Sequence, residues 1–77
     1  NMKKVLDKME SIFDYYFEEL ENINFRCEIE EILECYYGEM QNLINKSSIN
    51  NEDKKKLENL MGDNIMLLKE HGMCKLI

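Results

Sequence analysis

Proline, tryptophan and alanine are absent from this 77-residue chain, glycine occurs three times, and histidine and arginine occur once each. No apolar run exceeds four residues (65–68), against the roughly 20 that a membrane-spanning helix needs. No transmembrane segment is therefore expected. Basic residues are scarce. Ten Lys and Arg face sixteen Asp and Glu, giving a formal net charge of −6 and a pI near 4.7. A protein that grips nucleic acid needs a basic surface, so direct DNA or RNA binding is not expected. Membrane-surface binding is discounted as well, because the polar side of the first amphipathic stretch is acidic and anionic lipid repels it. Cysteine is limited to Cys27, Cys35 and Cys74, an odd number without a CxxC pair, which argues against a secreted disulfide framework. The opening residues, Asn1-Met2-Lys3-Lys4, lack the apolar stretch of a signal peptide. A cytoplasmic protein with reduced thiols is the expectation.

The same scarcity limits the chemistry. Nucleophilic catalysis needs a base beside a nucleophile, and His71 is the sole histidine. No Gly-rich phosphate loop, GxSxG or HExxH pattern is present. The chain is read as non-catalytic, with no cofactor. His71-x-x-Cys74 is the one pair with ligand-like spacing. With Cys27 it forms a weak candidate set for tetrahedral zinc, which supports a second alternative, a small thiol- or zinc-dependent regulator. The plainer role for a lone His near a helix C-terminus is to complement the dipole there.

What is present is helical patterning. Met2, Val5, Leu6, Met9, Ile12, Phe13, Tyr16, Leu20 and Ile23 recur at three- and four-residue steps, the signature of an amphipathic helix. Neither Gly nor Pro occurs before Gly38, so one rod from residue 2 to about 45 has to be considered. The phase argues against it. Prolonging the first stripe lands on Cys27, Glu34 and Gly38, whereas the apolar residues are Ile29, Ile32, Leu33, Tyr36, Met40, Leu43 and Ile44. The stripe changes face, which predicts a turn at residues 22–24 with Asn24 as the next N-cap. Residues 46–51 are a second polar break, after which Asn50 caps a third helix whose first turn carries Glu52 and Asp53. Gly62 interrupts that helix at a cost of about 1 kcal/mol relative to Ala; one helix with a kink there is favoured over two. Gly72 is expected just beyond the helix end, in a Schellman-type turn with Met73 touching Leu68. The prediction is a single all-α domain over residues 1–77, a small three-helix up-down-up bundle. Helix 1 covers about 2–21, helix 2 about 25–45 and helix 3 about 51–71, followed by a tail at 72–77.

Two features exceed what folding requires. Helix 1 carries Tyr15, Tyr16 and Phe17 in succession, and helix 2 carries Tyr36 and Tyr37. A three-helix core takes Phe13, Tyr16 and Tyr36 first, which leaves Tyr15, Phe17 and Tyr37 as aromatic contacts for a partner or a homodimer. A domain this small buries only about 60% of its unfolded surface and gains from a second subunit. Charge is also uneven: residues 10–39 hold ten acids and one base, Arg26. Asp7, Glu10, Asp14, Glu18 and Glu21 form one stripe on helix 1, and Glu28, Glu31 and Glu34 continue the pattern on helix 2, beside Glu30. Like charges at i,i+4 oppose helix formation by about 0.2–0.5 kcal/mol per pair. A solvated face that keeps the protein soluble is the plain reading. The sharper one is an acidic surface for a basic partner protein, with carboxylates one turn apart resembling phosphate spacing, as small acidic inhibitors encoded by phages and mobile elements use as a class. The alternative is an assembly subunit whose aromatic helix 1 completes a larger helical core.

Overall fold

The computed structural model describes all of residues 1–77 and contains three helices and no strand: α1 (Met2–Leu20), α2 (Cys27–Lys46) and α3 (Asn51–Lys75). Together they form an up-down-up bundle measuring 41 × 17 × 15 Å between Cα atoms. No helix is long and apolar enough to cross a membrane. The turn that joins α1 to α2 occupies residues 21–26, where the apolar stripe changes face. Ile23, 8% exposed, pins that turn into the core. At this end Leu20 of α1, Ile29 of α2 and Gly72 of α3 meet. At the waist, Tyr36 is fully buried and makes T-shaped contacts with Phe13 and Tyr16 at ring separations of 6.4 and 5.8 Å. Its hydroxyl accepts a 3.2 Å hydrogen bond from Asn64 Nδ2, so the one phenol at the centre of the core is satisfied. Buried Val5, Ile44 and Leu57 extend the core towards the other end.

Three helix ends teach something about local signals. Asn50 caps α3 through its side chain, accepting from Asp53 N at 2.8 Å, and Glu52 and Asp53 lie in the first turn as the dipole favours. Asn24, by contrast, does not cap α2. That helix begins at Cys27 with Arg26 at the N-cap and no side-chain cap bond. The chain needs residues 21–26 to carry Ile23 into the core and still reach α2. Tight bonds from Glu28 N to Phe25 O and from Ile29 N to Arg26 O then satisfy two of the orphan amides. The second correction is at the C-terminus. α3 runs on to Lys75, so residues 72–75 are helical and no Schellman turn forms at Gly72. Gly72 has no positive φ. Its role is close approach: a Cβ there would lie 3.0 Å from Leu20 Cδ2 and 3.1 Å from Ile29 Cγ1. Gly62 lies in the interior of the same uninterrupted helix, and a Cβ there would meet nothing within 4 Å.

Candidate functional site

The fold sorts charge along the long axis. The α1–α2 turn brings the acid-rich C-terminal half of α1 beside the acid-rich N-terminal half of α2, and α3 ends alongside both. Residues 11–39 and 64–77 build this end and hold ten acids against three bases, Arg26, Lys69 and Lys75. Residues 1–10 and 40–63 build the other end and hold six acids against seven lysines. The excess negative charge of the molecule therefore belongs to one end. Asp7, Glu10, Asp14, Glu18, Glu21, Glu31 and Glu34 are solvent-exposed, Glu28 is half-buried, and no charged residue is buried anywhere.

Around that end carboxylates border two of the three grooves between the helices. Glu19 and Glu31 flank a concavity between α1 and α2 that also contains Tyr15, Tyr16 and Cys35. Glu30 and Glu34 border the groove between α2 and α3, where Arg26 and Lys69 also lie. Glu10, which belongs to the other end, lies in the cleft between α1 and α3 with Leu6, Phe13 and Leu60. Spacing along one helix reveals a stripe; which groove each acid borders depends on how the helices are rotated against one another, and this the linear pattern does not encode.

Of the aromatic contacts, Tyr15 is 59% exposed and packs edge-on to Tyr16 at 5.0 Å, beside the Glu19–Glu31 concavity. Tyr37 is 50% exposed and its hydroxyl accepts a 3.4 Å bond from Gln41 Nε2. Phe17 is half-buried and stacks on His71 with ring centroids 3.8 Å apart. Tyr16 donates a 2.6 Å hydrogen bond to Glu39 Oε2 across the α1–α2 seam. That bond to a carboxylate, reinforced by burial and by the negative charge of Glu39, raises the Tyr16 phenol above its ordinary value of 10.0. Burial raises Tyr36 as well, against a smaller opposing effect of Asn64.

Cys27, His71 and Cys74 do not assemble into a ligand set, and no group of three His, Cys, Asp or Glu side chains is placed to hold a metal ion. The three thiols are free and exposed. His71 is turned against Phe17, with Nε2 buried and unpartnered, and Lys75 occupies the last turn of α3. Exposed apolar residues outside the predicted set are Phe25, Leu6, Leu60, Met66, Leu67 and the terminal Ile77. Leu60 and Leu67 are seven residues apart and off the core stripe of Leu57, Met61 and Leu68, a spacing that was readable in the sequence.

No protein-family model, curated protein or solved structure matches this chain.

Proposed function

We propose that this chain is a non-catalytic binding protein that docks its acidic end on a basic surface of another protein and so regulates or blocks it. The observation that carries the reading is the axial segregation of charge, ten acids against three bases at one end. Packing does not require it, since the core is apolar throughout and every buried residue is non-ionic. Carboxylates on successive helical turns lie about 5–6 Å apart, a spacing suited to the cationic groove of a nucleic-acid-binding protein. Such an end also steers encounter with a basic partner and makes association fast and salt-sensitive. The aromatic ring of Tyr15 beside Glu19 and Glu31 supplies apolar contact area within the charged surface.

The experiment is competitive capture. Immobilised protein retains its partner from native-host extract at low salt, releases it at about 0.5 M salt, where the screening length falls to ~4 Å, and releases it to a short DNA duplex that occupies the same basic groove. A variant combining Asp14→Asn, Glu18→Gln and Glu31→Gln loses the partner while keeping its helicity. Retention at high salt, or by that variant, refutes the reading.

A further inference from the structure

The three seams of the bundle are not equally closed. α1 and α3 share the thinnest of the three interfaces, and their shared cleft is lined by Leu6, Met9, Glu10, Phe13, Leu60 and Asn64. Leu6 is 39% exposed, Leu60 37% and, further along the same side of α3, Leu67 54%. His71 lies one turn beyond Leu67 and keeps its unpartnered Nε2 against this seam. The accessible surface is 5457 Å² for 9.3 kDa, above the roughly 5,000 Å² usual for a folded monomer of that mass.

We propose that the α1–α3 face is covered by a second copy of this chain, packed antiparallel about a two-fold axis near residues 63–64 of α3. Two observations select this occupant, and neither depends on the proposed function of the acidic end. The first is charge. An antiparallel pair lays the acid-rich end of each copy alongside the lysine-bearing end of the other, and Lys56 pairs with Glu70 across the axis. The second is self-complementary spacing. Leu60 and Leu67 are both exposed on this side of α3, and an axis placed midway between them brings each Leu60 onto the partner's Leu67 in an isologous contact. The dimer carries one acidic end at each extremity.

Sedimentation equilibrium tests the face. At about 0.5 mM, a concentration at which even a weak pair is populated, the wild type is expected at twice 9.3 kDa. Leu67→Lys, at an exposed site whose substitution spares the core, is expected at the monomer mass with unchanged far-UV helicity, and Leu60→Lys serves as a second probe. Tyr37→Lys, on a different helix, is expected to stay dimeric. Cysteine cross-linking tests the register, in a background with Cys27, Cys35 and Cys74 replaced by Ser. Mixing Leu60→Cys and Leu67→Cys chains is expected to give a disulfide-linked heterodimer, with Leu67→Cys alone giving little. A monomeric wild type at that concentration, a dimer that survives both lysine variants, or efficient linking of Leu67→Cys to itself overturns the proposal.

Discussion

The two ends of the bundle share one apolar core and differ in what surrounds it. At the α1–α2 turn the helices come close: Gly72 lets α3 approach Leu20 and Ile29, and ten acids crowd the outside against three bases. At the α2–α3 end the chain turns through a capped break at Asn50, and seven lysines balance six acids. Backbone demands are thus met at both ends, by a missing side chain in one case and a capping side chain in the other. Only one end carries charge that folding works against. Charge that persists against a folding cost points to a task outside the fold, and this difference is why the acidic end, and not the lysine-bearing one, is the proposed docking surface.

The comparison breaks most severely if the ends prove to be separate units. Tyr36→Ala removes the ring that joins them at the waist and is expected to cost about 3–5 kcal/mol. In urea, helicity is expected to be lost in a single transition at a lower midpoint; a surviving half-transition would show two independent ends. Next in size is the close approach at the acidic end. Gly72→Val forces apart Leu20 and Ile29 and is expected to destabilise by about 1–3 kcal/mol, seen in the same denaturant titration.

Alkaline pH acts at the waist and on the α1–α2 seam. Tyr16 and Tyr36 ionise less readily in the fold than at their ordinary value of 10.0. The unfolded chain therefore releases those protons first. The contribution of these phenols is complete below pH 10 and declines as pH rises through and beyond it. Thermal melts from pH 9 to 12 are expected to show a falling Tm, and Tyr16→Phe is expected to shallow the decline.

Smaller effects sharpen the contrast. Gly62→Ala fills open space in the middle of α3 and is expected to stabilise by about 0.5–1 kcal/mol, opposite in sign to the change at Gly72. Glu18→Gln relieves repulsion with Asp14 and Glu21 and is expected to raise stability by a few tenths of a kcal/mol, an increment that added salt erases.

Most of the architecture was legible in the sequence. Periodicity located all three helices, the phase change located the first turn, and Asn50 announced the start of α3. The misses share one cause. Asn24 and Gly72 carry local signals of a cap and a stop, but tertiary packing used those regions otherwise: the turn was lengthened to bury Ile23, and the glycine admitted Leu20 and Ile29. The acids were legible as residues on helix faces. Which groove each of them borders was not, because it depends on the relative rotation of three helices. Phe17 was expected as an exposed contact and stacks on His71, a pairing between residues 54 positions apart that no periodicity reveals.

The central claim, that the acid-rich end is a docking surface, is tested most directly by the salt dependence of partner binding in two charge variants. The account predicts that Kd for the captured partner rises steeply with salt for the wild type. It predicts that Asp14→Asn with Glu18→Gln and Glu31→Gln weakens binding and flattens that slope, and that Lys54→Gln with Lys55→Gln at the opposite end changes neither. A Kd indifferent to salt, or one lost only when the lysines are neutralised, contradicts it.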